Sequence, residues 1–245
     1  KTAKEVFEIT QGAFNPAVGP LVRAWGFGAD EPRNLDSAQV AVLQALSDFT
    51  AFYIDYSDGP VLRKRMAEAE LDFGAIAKGY AVDEIALLLE SMGTVNYLVE
   101  IGGEVRAHGR HPEDRTWRIG IEKPLEASRE LQAVVELNNA SMASSGNYRN
   151  YYLRNGQKFV HTINPTTGYP EINSLLSVSV VATDCMTADA YATAFMVMGL
   201  ERAVDFVESH GGPATYFISG GEESAFQTTA SAGFSELLLP DESEK

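Results

Sequence analysis

Asp189 and Thr193 stand four residues apart in DCMTADAYATA (184–194), a segment whose apolar spacing predicts a helix. At that separation both side chains project from the same helical face. A carboxylate and a hydroxyl are hard oxygen donors of the kind that Mg²⁺ prefers. An acidic residue in a first helical turn also complements the helix dipole, so a structural role for Asp189 stays open. We expect Thr187 to cap this helix.

A second candidate is LDFGAIAKGYAVDE (71–84), in which a short strand end at 70–73 passes through small residues into a helix. Small side chains let backbone N–H and C=O groups approach a ligand closely. Lys78 stands beside the helix N-terminus, where an anion is favoured. The segment is not a P-loop, because the glycine spacing and the hydroxyl after lysine are missing. The alternative is a tight joint with a solvated lysine.

The third candidate is His161, which opens the segment HTINPTTGYP (161–170). Its imidazole lies where a strand leaves the sheet, before a turn rich in Asn, Pro, Thr and Gly, and could reach a cleft as a general base. A lone histidine is often structural, so both interpretations remain open.

The apolar pattern and the turn formers predict the elements that position these segments. Helices are predicted before Gly12, within 35–51, from the small-residue turn to Gly93, and over 187–200 and 201–209. Strands are predicted at 97–101, 105–107, 117–121, 131–137, 151–153, 159–163 and 175–182, with IGGE (101–104) and SSGNY (144–148) as glycine turns. This pattern predicts an α+β fold with a mixed, mainly antiparallel sheet flanked by helices.

The composition narrows the possible functions. The 245 residues carry a formal net charge of -15, which repels nucleic acid and anionic lipid. A polyanionic small molecule could bind only at a site where a metal ion or backbone N–H groups offset that charge.

The sequence contains one cysteine, Cys185, which excludes an intrachain disulfide and a multi-cysteine metal site. We expect Cys185 to be a buried apolar residue.

Taken together, the segments resemble the ApbE family of FAD:protein FMN transferases. The resemblance rests on AFNPAVGPLVRAWGFG (13–28), DFGAIAKGYAVD (72–83), HTINPTTGYP and MTADAYATAFMVMG (186–199), with IGGE and SSGNY between them. It implies a T-fold-like architecture and a Mg²⁺-dependent enzyme that cleaves FAD, attaches FMN to a threonine of an acceptor flavoprotein and releases AMP. The acceptor would be a subunit of a redox pump or electron-transfer complex. The location implied is the bacterial periplasm, as a lipoprotein anchored to the inner membrane.

The resemblance also implies roles for individual residues. Asp189 and Thr193 would bind Mg²⁺ with the Ala75 backbone carbonyl, and Ala192 belongs to the same metal site. His161 would deprotonate the acceptor threonine. The residues expected to contact FAD are Ala13, Phe14, Asn15, Asp72, Lys78 and Ile163.

Two departures from the family pattern stand out. Asn15 replaces an aspartate that is common in relatives, so a hydrogen bond would replace a charged contact. Family members also carry a longer segment before the first matching motif, and this chain begins at Lys1 without Met. We therefore expect a single ApbE-like domain over 1–245 that is truncated at its N-terminus.

Two other functions remain as alternatives. The same site could hydrolyse FAD to FMN and AMP, with water in place of the threonine. A non-catalytic lipoprotein that binds and stores FAD would instead retain the flavin without releasing AMP.

Overall fold

A computed structural model gives the elements of the chain and describes residues 1–28, 30–125, 129–148, 150–154, 156–220 and 225–240. The helices are α1 (Thr2–Ile9), α2 (Gly19–Ala24), α3 (Ser37–Leu46), α4 (Ala77–Ser91), α5 (Cys185–Met198), α6 (Leu200–His210) and α7 (Ala232–Ser235). The strands are β1 (Phe52–Asp55), β2 (Val61–Lys64), β3 (Tyr97–Ile101), β4 (Glu104–His108), β5 (Trp117–Glu122), β6 (Leu131–Leu137), β7 (Ala140–Gly146), β8 (Tyr151–Arg154), β9 (Gln157–Val160), β10 (Leu175–Ala182), β11 (Ala214–Ser219) and β12 (Gln227–Ala230). Within these ranges, no helix is both long and apolar enough to cross a bilayer.

A six-stranded antiparallel sheet forms the centre of the fold, in the order β12–β11–β10–β7–β4–β3. One face packs on α5 and α6 in a core that includes Phe195, Phe206 and Phe217. The other face is covered by the β5–β6 hairpin and α7, through a second core that includes Val135 and Phe234. Successive strand residues point to opposite faces, so both cores draw on the same strands. The predicted α+β fold class is confirmed.

The N-terminal ends of α4 and α5 pack against each other at Gly79. A Cβ atom at Gly79 would lie 2.4 Å from the Cys185 carbonyl oxygen and 2.7 Å from the Met186 Cα. Real Cβ atoms do not approach backbone atoms that closely, so only glycine permits this contact. The Gly79 N–H donates to Asp189 Oδ2 over 3.0 Å, which joins the two helices directly.

Two carboxylates satisfy the first N–H groups of α5. Asp83, on α4, accepts from the N–H of Cys185 at 3.0 Å and of Met186 at 2.8 Å, and it pairs with Arg106 at 2.9 Å. Asp184 is the N-cap and accepts from the N–H of Thr187 at 2.8 Å. The prediction that Thr187 caps this helix is therefore wrong, because the helix begins two residues earlier and Thr187 supplies the capped donor.

Three other predicted elements differ from the structure. Residues 70–73 form no strand, and the strand predicted over 159–163 ends at Val160. The first residues of SSGNY belong to β7, a central strand, rather than to a turn. The sequence pattern does not predict strand β7, because its small, partly polar side chains show no apolar alternation. These small side chains leave room for α5, which packs on the strand.

Helix α4 buries only part of the apolar series that predicts it, which is Val82, Ile85, Leu88, Leu89 and Met92. Val82 is buried, whereas Leu88 and Met92 are 58% and 72% exposed. The buried residues are Gly79, Val82, Asp83 and Ala86. Close packing on α5 therefore uses small side chains and one carboxylate. Cys185 is buried, as predicted, and burial raises the pKa of its thiol.

We predict that Gly79→Ala destabilises the protein strongly. The added methyl group would overlap the backbone of Cys185, a kind of overpacking that costs about 1–3 kcal/mol or more. The measurement is urea unfolding of the variant and the wild type.

Gly233→Ala is the matched control, because its added Cβ would meet the Ala214 Cβ at 3.6 Å, an ordinary contact in helix α7. We expect it to change stability by less than about 1 kcal/mol. A Gly79→Ala variant as stable as this control would contradict the close helix contact.

Candidate functional site

A cavity of about 380 Å³ opens where α4, α5 and β7 meet the loop that follows α1 and the turn that follows β9. This volume lies within the range of small-molecule sites. All of the predicted site residues but one line the cavity: Ala13, Phe14, Asn15, Asp72, Ala75, Lys78, His161, Ile163, Asp189 and Thr193. The structure thus brings together segments that lie far apart in the sequence, while the role of each residue stays a prediction.

Ala192 is the exception. It is fully buried, and its side chain packs in the core between α5 and the sheet. Its methyl group therefore does not reach the cavity.

Asp189 lies at the buried end of the cavity and is only 3% exposed. Burial raises the pKa of its carboxyl group, while the hydrogen bond from the Gly79 N–H and the positive charge of Lys78 lower it. The raised pKa means that the ionised form lacks full compensation in this environment. A cation bound in the cavity would supply that compensation.

The Ala75 carbonyl lies just before helix α4, whose N-cap is Ile76. Gly79 is the third residue of that helix, so its N–H is one of the first-turn donors that have no partner within a helix. Asp189 accepts this N–H and so satisfies a donor that the helix itself leaves unpaired. Among the residues that the structure describes, no N–H or O–H group donates to the Ala75 oxygen. This unused acceptor belongs to a residue of the cavity wall.

Thr193 and Ser145 supply hydroxyl groups to the cavity wall. Their oxygen atoms lie 3.5 Å apart, at the limit of a hydrogen bond. Ser145 comes from β7 and Thr193 from α5, so sheet and helix each contribute one hydroxyl. The sequence did not point to Ser145, because its segment resembled a turn.

His161 also lines the cavity, and its Nδ1 lies 3.2 Å from the Asn150 carbonyl oxygen. A carbonyl oxygen only accepts, so Nδ1 carries the proton and Nε2 keeps its lone pair. Burial lowers the pKa of the imidazole, the Asn150 bond raises it, and the charge of Lys78 lowers it. The ring is therefore neutral at pH 7, the state that a general base requires.

Lys78 brings a positive charge to the cavity wall. Its Nζ lies 2.6 Å from Oε1 of Glu104, a carboxylate that is 1% exposed. Burial raises the pKa of Glu104 to about 6, against the lowering effect of Lys78 and with a further rise caused by Asp189. Glu104 begins β4 and was not singled out in the sequence.

The loop residues of the cavity wall have structural partners as well. Asn15 Nδ2 donates to the Ser47 carbonyl at 2.8 Å, and its Oδ1 accepts from the Ala17 N–H at 2.8 Å. Asp72 Oδ1 accepts from the Gly74 N–H at 2.7 Å. Because an aspartate could not donate to Ser47, the asparagine at position 15 fits this loop.

The oxygen donors at the cavity are of different kinds. Within the described ranges, no three His, Cys, Asp or Glu side chains cluster so that they could hold a metal ion. The oxygen donors of the cavity wall include the Asp189 carboxylate, the Thr193 hydroxyl and the Ala75 backbone carbonyl.

Comparison with known proteins gives a consistent result. Residues 1–217 match the model of the ApbE family. The chain is 39% identical over 234 residues to the FAD:protein FMN transferase of Haemophilus influenzae, covering 94% of this chain and 67% of the relative. It is 38% identical over 240 residues to the Vibrio cholerae enzyme of the same name, covering 97% and 70%.

Solved structures of ApbE proteins also resemble this chain. The flavin transferase ApbE from Vibrio cholerae superposes with a TM-score of 0.84 at 36% identity, over 97% of this chain and 74% of that chain. The ApbE protein from Thermotoga maritima gives a TM-score of 0.85 at 27% identity, over 97% and 76%. With a family match over most of its length and relatives of this similarity, the chain belongs to the ApbE family.

Proposed function

We propose that this chain is an FAD:protein FMN transferase, which moves the FMN half of FAD to a threonine hydroxyl of an acceptor protein and releases AMP. The observation that carries the proposal is a single cavity that joins a neutral histidine, a lysine and a buried carboxylate: His161, Lys78 and Asp189. These groups match the needs of phosphoryl transfer, which are a proton acceptor, positive charge and a means of fixing the substrate.

We propose Mg²⁺ as the metal, and the donors at the cavity fit it. Asp189 offers a buried carboxylate, Ala75 a carbonyl oxygen that accepts no hydrogen bond from the described residues, and Thr193 a hydroxyl, all hard oxygen donors. A mostly hydrated ion bound by few protein groups is usual for Mg²⁺ sites that also bind phosphates. Bound there, Mg²⁺ would neutralise charge on the diphosphate of FAD.

His161 is proposed as the general base. Its Nε2 takes the proton of the threonine hydroxyl as the oxygen forms a bond to the phosphorus of the FMN half. The bond between that phosphorus and the AMP oxygen breaks, and AMP leaves with the electron pair. The Asn150 carbonyl fixes the imidazole through Nδ1, so that Nε2 is the nitrogen available for the proton.

The acceptor and the location are further proposals. We propose a flavoprotein subunit of a redox pump or electron-transfer complex as the acceptor, and the periplasmic side of the inner membrane as the location. Support for both comes from the family resemblance alone.

The direct test is mass spectrometry of a candidate acceptor after incubation with this chain, FAD and Mg²⁺. We expect one FMN, less one water, on a threonine. A parallel incubation without acceptor separates the alternatives. Rapid release of FMN and AMP would favour hydrolysis, and retention of intact FAD with no AMP in either incubation would favour a storage protein.

We predict that Asp189→Ala lowers FMN transfer at least about 100-fold, because it removes the carboxylate oxygens from the proposed metal site. Stopped-time assays with and without Mg²⁺ measure the loss. Asp205→Asn, an exposed carboxylate on α6, is the control and should keep full activity. Undiminished, Mg²⁺-dependent transfer by Asp189→Ala would contradict the assignment.

We predict that His161→Ala lowers the rate of FMN transfer by about 100-fold or more and changes the dissociation constant for FAD little. The reason is that a general base acts on the acceptor hydroxyl and not on FAD.

In the wild type, the rate of transfer should fall in acid only below pH 6.5, since burial holds the His161 pKa under that ordinary value. Rates from pH 5 to pH 8 check the profile. An acid limb above pH 6.5, or normal transfer by the variant, would refute this role.

A further inference from the structure

Glu104 is a buried carboxylate that the proposed mechanism does not use. The two-residue turn at Gly102 and Gly103 joins β3 to β4, with φ angles of 60° and 99° that favour glycine. This turn brings Glu104 beneath the first turn of α4, where its Oε1 meets Lys78 Nζ at 2.6 Å. Its Oε2 is also buried and has no hydrogen-bond partner among the described residues.

Fold stability does not explain this arrangement. A buried carboxylate with one unpaired oxygen loses much of its hydration without full replacement. Burial raises the Glu104 pKa to about 6, above its unfolded value, so the ionised form lowers stability as the pH rises toward 7. Lys78 has a side chain that is 46% exposed and would stay hydrated without this partner.

The pair does have a consequence for the cavity. Lysine is a flexible side chain that loses much rotamer freedom when one position is fixed. Lys78 is part of the cavity lining and Glu104 is not. The carboxylate therefore contacts the lysine without occupying the cavity. Lys78 lines the same cavity as Asp189 and His161.

We propose that Glu104 is a positioning residue, which fixes the Lys78 ammonium group at the cavity wall, where it contacts the diphosphate of FAD. Ammonium groups are common phosphate ligands, and a fixed one binds without the entropy cost of ordering a free side chain. The inference rests on the proposed function for the identity of the ligand. The buried charge of Glu104 therefore lowers the stability of the fold and fixes the lysine for substrate binding.

A double-mutant cycle with Glu104→Gln and Lys78→Met tests the proposal. The readouts are the dissociation constant for FAD, from the quenching of flavin fluorescence in the presence of Mg²⁺, and the melting temperature at pH 7. Glu104→Gln should weaken FAD binding about 10-fold and leave the melting temperature equal to or above that of the wild type. The double variant should bind FAD no more weakly than Lys78→Met, because Glu104 acts only through the lysine.

Glu136→Gln is the matched control, since Glu136 pairs with Arg118 at 3.3 Å on the β5–β6 hairpin, away from the cavity. It should leave FAD binding unchanged. Any one of three results would overturn the positioning role. They are wild-type FAD affinity in Glu104→Gln, losses of FAD affinity that multiply in the double variant, and a melting temperature of Glu104→Gln that is lower by several degrees. A wild type that binds FAD without transferring FMN would instead refute the proposed function and leave the positioning role intact.

Discussion

The hydrogen bond from the Gly79 N–H to Asp189 is the contact on which the site depends. It exists because glycine lets the first turns of α4 and α5 approach to a distance that a methyl group would prevent. The same bond has two chemical effects. It satisfies an N–H group of the first turn of α4 that has no partner within the helix, and it ties Asp189 to the segment that carries Ala75. One backbone contact thereby joins the two segments that supply the carboxylate and the backbone carbonyl proposed for Mg²⁺.

Electrostatics explains how a strongly acidic chain can hold an anionic substrate. The net charge of -15 opposes the approach of a diphosphate, and the buried Asp189 adds negative charge in the cavity itself. Lys78 offsets this only in part, because Glu104 already pairs with it. A divalent cation at Asp189 would reverse the balance, so the arrangement favours metal and substrate binding together. The neutral His161 fits the same scheme, since burial and Lys78 both disfavour its protonated form.

Elements with strong local patterns could be predicted from the sequence. The apolar run of β10 and the strand 131–137 match the structure residue for residue, because burial of these strands leaves a local signature. Family resemblance supplied the grouping of His161, Lys78 and Asp189, which local patterns left open. The contacts that organise the site could not be predicted from the sequence. Gly79 and Asp189 are 110 positions apart, and no local pattern in either segment indicates that the two meet. Strand β7 and Glu104 were missed because small polar residues and glycine turns have several common uses.

The most direct measurement is a crystal structure of the chain with FAD and Mn²⁺, in which anomalous scattering locates the metal. The account predicts one ion within about 2.0–2.3 Å of the Asp189 carboxylate, the Thr193 hydroxyl and the Ala75 carbonyl, beside the diphosphate of FAD. An ion bound elsewhere, or a Gly79 N–H that does not donate to Asp189, would contradict this prediction.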